Sequence, residues 1–205
     1  MKKLTSFIVL LLALIQMSRA QSSYDVLNKD IPITFFGIDF SNAKGIMLNA
    51  SSDEVVKRYM PAINQLLINE SNKFSISKAF NKSTVNYDFT DVTKQNALID
   101  INNFQFYDDR KINPIENDAI ALMIQKYSLT GKTGTGLVFI AQKLDKSNRI
   151  ATYNLVFFTL PEGKIILNQS VTGKPMGFGF RNYWANTIYY ILKNEIGTIK
   201  SKYNK

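Results

Sequence analysis

A chain of 205 residues with no cysteine and no histidine offers no disulfide framework, no zinc or copper site on thiolate or imidazole ligands, and no Ser-His or Cys-His nucleophilic pair. Its 25 Lys and Arg against 16 Asp and Glu leave a formal net charge of +9. The basic residues are spread along the chain, which points away from nucleic acid and implies at most a basic surface leaning toward anionic envelope polymers or lipid headgroups, plain solubility being the simpler reading. Carboxylates, Lys, Tyr, Ser and Thr remain to carry any chemistry.

Residues 1–20 read as a cleaved secretory signal. Lys2 and Lys3 precede the apolar run Phe7 to Ile15, and Ser18-Arg19-Ala20 supplies the small residues read at a cleavage site. The run falls well short of the ~20 residues a membrane span needs, so no transmembrane segment is expected after cleavage. The mature chain then begins at Gln21, with no cysteine there to take a lipid, and is exported to the periplasm or beyond. The leader holds three basic residues and no acidic one, which lowers the mature charge from +9 to +6. Residues 21–205 are enough for a single α/β domain with a full core.

Ile31 to Phe40, IPITFFGIDF, is apolar on both alternations and predicts a central strand covered on both faces. Ser51 and Glu54 have capping-box spacing, and Val56, Tyr59, Met60, Ile63 and Leu67 recur at helical intervals, predicting a helix over 52–69 that Pro61 kinks or divides. The polar stretch 72–109 predicts one or two strands, around Val85 to Phe89 and Leu98 to Phe106, and a loose crossing segment. Asn113 as a cap, Pro114 at the first helical position and Glu116 predict a helix to about Tyr127 with Ile115, Ala119, Leu122 and Met123 inward. Gly136 to Leu144, Ile150 to Leu160 and Lys164 to Thr172 are divided by turn-like stretches at 145–148 and 161–163, and predict a three-stranded antiparallel meander. A final helix carries the stripe Phe180, Trp184, Ile188, Ile191, Leu192 and Ile199. The fold class is α/β (α+β), a mixed sheet ending in the meander and flanked by three to four helices.

Four stretches invite a chemical reading. Lys126 to Gly136 ends in Gly131-Lys132-Thr133, but Lys126 stands where a phosphate-binding loop needs its first glycine, and a strand follows instead of a helix. Ser75-Ile76-Ser77-Lys78 and Lys132-Thr133-Gly134 have the S-x-x-K and K-T-G patterns of penicillin-binding enzymes, without the S-D-N element between them. Asp39, with Ser41, lies at the end of the expected central strand, where open α/β sheets place ligands, although a buried acid satisfied by its neighbours is the plainer reading. Asp108, Asp109 and Glu116 could bind a hard cation but lack EF-hand spacing. Glu195, on the last apolar stripe, is expected at its wet end or paired.

The fourth is GKPMGFGFRNYWANTIYYIL, residues 173–192. Gly173, Gly177 and Gly179 allow positive φ or close backbone approach, and helix-start amides beside Arg181 could hold an anion. The plainer reading makes Phe178, Phe180 and Trp184 a plug for the end of the core. Met176, Phe178 and Tyr183 remain candidates for an exposed anchor. The candidate binding residues are therefore Gly177, Phe178, Gly179, Arg181, Tyr183, Trp184 and Asp39, with no metal or other cofactor.

FFGIDFSNAKGI and the tail from Gly136 to Ala185 resemble a group of exported α/β proteins of Bacteroidota. In the order of its elements the chain is also similar to small periplasmic modules such as the amino-terminal domain of TolB and the outer-membrane activators of penicillin-binding proteins. The resemblance implies export and an α/β domain, and brings no catalytic residue with it. The functional expectation is a non-catalytic module binding a protein or glycan of the bacterial cell envelope. The alternatives are a small-ligand or anion-binding protein and a Ser/Lys acyl hydrolase.

Overall fold

The computed structural model describes residues 26–106, 108 and 112–203. The expected signal at 1–20, the cleavage point at Gln21 and Asp109 lie outside the described residues. β1 (Ile33–Asp39) is buried along its whole length, as its unbroken apolar run requires. β5 (Thr135–Asp145) is the centre of a seven-stranded mixed sheet. One edge of β5 is taken along its full length by antiparallel β6 (Ile150–Thr159). The other edge is shared end to end, β1 pairing with Thr135 to Ile140 and β2 (Lys44–Ile46) with Lys143 to Asp145, both parallel.

β3 (Val85–Tyr87) lies parallel outside β1, and β4 (Gln105–Phe106) parallel outside β2. β7 (Ile165–Gly173) closes the far side, antiparallel to β6. The chain is thus mixed α/β, with parallel pairing among β1 to β5 and antiparallel pairing from β5 through β6 to β7.

Gly37 explains how β1 gives way to β2. Its φ of 89° sits where the β1–β5 register slips, and a Cβ there would lie 2.9 Å from the Phe89 ring. The freed backbone is held by two buried amides. Asn64 accepts from Ile38 N and donates to Ile38 O, both at 2.9 Å, while Asn96 donates to the same carbonyl at 3.1 Å and accepts from Phe40 N at 2.6 Å. Ala43 N then bonds Phe40 O at 2.8 Å, turning the chain into β2.

α1 comprises Ser52–Glu54, a π-helical turn Val55–Tyr59 and Met60–Asn69. Ser51 caps it as expected, its side chain accepting from Glu54 N at 3.2 Å. The wide turn comes immediately before Pro61, whose ring would collide with the carbonyl of Lys57 in an unbroken α-helix. Met60 N therefore bonds Val55 O, and the helix runs on without breaking.

The 72–109 stretch holds more helix than its polarity signalled: α2 (Ile76–Phe80) and α3 (Thr90–Asn96), with only short strands between and after them. α4 (Asn117–Ile124) starts later than expected, with Glu116 at its cap and the Asn113-Pro114 stretch outside it. The inward face is accordingly rotated. Ile120, Met123 and Ile124 are buried, whereas Ala119 is exposed and Leu122 is 61% exposed. α5 (Phe180–Asn194) and α6 (Ile196–Tyr203) follow, so six helices replace the expected three to four among the described residues.

Phe80 of α2 meets Phe157 edge-on at 5.1 Å, and Thr187 of α5 bonds the Tyr153 hydroxyl at 2.7 Å. α1 packs along α5 on this same face. Across the sheet, Phe36 stacks on Tyr127 at 5.5 Å and meets Phe158 at 5.4 Å.

Candidate functional site: the α5 corner

β7 ends at Gly173, where strand and helix backbones nearly touch. A Cβ there would lie 2.4 Å from the carbonyl oxygen of Thr187, so only glycine lets α5 dock this closely. The chain then rounds a corner whose φ is 92° at Gly177 and 74° at Gly179. Asn186 pins it, donating to Met176 O and to Asn182 O, each at 2.9 Å.

Held between these two glycines, Phe178 is 95% exposed, and Met176 beside it is also exposed. Six residues on, Trp184 is 1% exposed. The corner therefore divides its aromatics: Trp184 belongs to the core, Phe180 is half-buried, and Phe178 stands in solvent.

Tyr59 of α1 stacks on Phe180 with ring centres 4.4 Å apart, and Tyr183 meets Trp184 edge-on at 5.2 Å. The Lys146 ammonium lies 3.8 Å from the Tyr183 ring centre. With Asn49, Gly177, Phe178 and Gly179, these groups line a surface pocket of about 380 Å³. Five of the seven candidate residues converge there: Gly177, Phe178, Gly179, Tyr183 and Trp184. Arg181 is not among the lining residues; it is exposed, and its Nε donates to Asn182 Oδ1 at 3.0 Å.

Asn49, Tyr59 and Lys146 were missed as site residues. Asn49 follows β2 and Lys146 follows β5, so the pocket opens beyond the carboxyl ends of a parallel strand pair. Ligand sites of open α/β sheets favour this position. Applied to β1 the rule picks Asp39, but β2 continues the same line and moves the open end further along.

Asp39 is fully buried. Its Oδ1 accepts from Ser41 N at 2.8 Å and its Oδ2 from the Tyr127 hydroxyl at 2.6 Å. Burial, followed by the negative charge of Asp39 and the hydrogen bond to it, pushes the Tyr127 hydroxyl well above its ordinary value, so it stays protonated and donates. The arrangement joins the end of β1 to the segment after α4, apart from the pocket.

The two penicillin-enzyme patterns serve local structure. Ser75 caps α2, its Oγ accepting from Lys78 N at 3.3 Å, while the Lys132 ammonium bonds Asp88 Oδ2 at 2.6 Å. Lys132 holds the Asp88 carboxyl below the usual carboxylate range. Gly134, at φ 86°, passes over the entrance to β1, where a Cβ would lie 2.4 Å from Pro32 O. Glu116 is exposed at its cap position and Glu195 half-buried at the end of α5. Among the described residues no three carboxylates gather to hold a cation, and no helix is long and apolar enough to cross a membrane.

Chemically, the pocket offers one amine, one amide, two phenols and aromatic surface. Such a set grips a ring, an apolar side chain or an anionic edge, and presents no carboxylate for acid–base work. In comparisons with protein-family models, with curated proteins and with solved structures, nothing matches the chain.

Proposed function

We propose that the chain is an exported, non-catalytic module that binds a protein or glycan of the cell envelope through the 173–184 corner. The observation that carries this reading is Phe178, a large apolar ring held almost wholly in water between two glycines of positive φ. An aromatic in that state loses hydration cost when a partner covers it, and aromatics of this kind anchor interfaces. Tyr59, Phe180 and Tyr183 supply rings against which a sugar face or a partner side chain can lie, and Lys146 supplies a charge at the rim. Export rests on the expected leader, in which Lys2 and Lys3 precede the apolar run Phe7 to Ile15 and the small-residue cleavage site.

A second reading draws on Lys146 and the start of α5. Gly179 caps that helix without a side-chain hydrogen bond, and amides at a helix start are the groups a small anionic ligand uses. The two readings separate on Phe178. Immobilised wild-type protein is compared with Phe178→Asp and Lys146→Ala in capture from solubilised envelope and from a glycan library. Binding of an envelope partner is lost with Phe178→Asp while the thermal midpoint stays within about 2 °C, as for a surface change. Loss with Lys146→Ala alone favours the anion. Capture that survives both changes removes the corner from the account.

A further inference from the structure

The two sides of the sheet are defended very differently. On one side the outer strands are β3 and β4, three and two residues long, too short to template another chain. On the other side β7 runs for nine residues and pairs only with β6 among the described residues. A bulge at Ile166 interrupts its start, since Phe157 pairs with Leu167 and Phe158 with Ile165. From Leu167 to Gly173 the register is unbroken.

That stretch, LNQSVTG, contains no charge and no proline, the two commonest guards against strand addition. One stand-in donor is already in place, because the Gln169 side-chain amide donates to the Ser170 carbonyl at 3.1 Å. Cation sits at both ends and beside the middle. Lys164 and Lys174 are exposed and flank the strand, and Lys202 reaches Gln169 Oε1 at 3.3 Å.

These lysines decide what fits the edge. A second copy pairing antiparallel about Ser170 would place its Lys164 diagonal to Lys174 at both ends of the ladder, within reach for repulsion. Parallel pairing of two copies would align lysine with lysine. An extended segment uncharged in the middle and acidic at its ends meets neither problem. We infer that the outer edge of β7 accepts such an acidic-flanked polypeptide segment as an added strand, backbone bonds supplying affinity and the three lysines setting the choice of partner. The edge is a separate surface from the Phe178 pocket, and neither requires the other.

The test uses the nine-residue peptide Glu-Thr-Val-Thr-Val-Thr-Val-Thr-Glu, its lysine-ended analogue, and a version methylated on alternate backbone nitrogens. Backbone amide exchange of the protein is followed residue by residue. The glutamate-ended peptide slows the outward-facing amides between Leu167 and Gly173 by about tenfold, leaving the amides paired with β6 unchanged. The lysine-ended and methylated peptides do not slow them, and Lys164→Glu with Lys174→Glu reverses the preference. Unchanged exchange with the glutamate-ended peptide overturns the inference, as does equal protection by the lysine-ended one. Protection of the free protein that rises with its own concentration also overturns it, by assigning the edge to a second copy. Phe178→Asp leaves the peptide effect intact, so failure here is distinguishable from failure of the pocket.

Discussion

The Lys146 ammonium lies 3.8 Å from the centre of the Tyr183 ring, tying the turn after β5 to the beginning of α5 across the mouth of the pocket. The contact is partly exposed, so it should contribute about 0.5–1 kcal/mol. A double-mutant cycle of Lys146→Ala and Tyr183→Leu, read by urea unfolding, is expected to show a coupling of that size. Simple additivity would mean that the ammonium is held elsewhere in solution.

Two glycines give opposite signs on substitution by alanine. At Gly173 the new methyl meets the Thr187 carbonyl at 2.4 Å, so β7 and α5 must separate, at a cost of about 1–3 kcal/mol. At Gly197, within α6, nothing lies within 4 Å, and alanine should stabilise by about 0.5–1 kcal/mol through helix propensity. Thermal unfolding of the two variants checks both.

Alkaline pH should unfold the protein through two buried tyrosines. Burial raises both Tyr127 and Tyr153 above the ordinary value of 10.0; the charge and hydrogen bond of Asp39 push Tyr127 further up, and the bond to Thr187 offsets part of the rise at Tyr153. Above pH 10 the unfolded chain releases these two protons while the native state keeps them. The unfolded state then binds fewer protons, and stability falls as pH rises. With both fully titrated in the unfolded state the slope is about 2.7 kcal/mol per pH unit, twice the single-proton value. Urea midpoints across this range should fall accordingly, and Tyr127→Phe should roughly halve their contribution to the slope while leaving Asp39 Oδ2 without its donor.

Ser75 caps α2 through its Oγ, which accepts from Lys78 N. Ser75→Ala should cost about 1 kcal/mol, the usual loss of a helix N-cap. An acylating probe should leave the wild-type protein unlabelled by mass spectrometry, and a covalent adduct on Ser75 would restore the hydrolase reading.

β1 was legible because seven buried residues in a row leave no polar face to mislead, and α1 because its cap and stripe agree. Burial of Trp184 followed from helical spacing. The outward turn of Phe178 did not, since spacing orders side chains only once the helix has begun, and Phe178 precedes its cap at Gly179. The face of α4 was misjudged for a related reason. Phasing it from Asn113-Pro114 rotated the inward stripe and placed Leu122 inside. Nothing in the sequence singles out Asn64 or Asn96, because an amide that clamps a strand bulge looks there like any other polar residue. The pocket itself joins Asn49, Tyr59 and Lys146 to the corner over long sequence separations, which local patterning does not register.

The most direct test compares two tryptophan reporters. In the wild-type protein the emission of Trp184 should be blue-shifted and resistant to iodide and acrylamide, because its ring is core. A Phe178→Trp, Trp184→Phe variant should instead emit to the red, quench readily with iodide, and lose that quenching when the captured envelope partner is added. A shielded reporter at 178 in the free protein, or one whose quenching the partner leaves unchanged, would contradict the assignment of this corner as the binding surface.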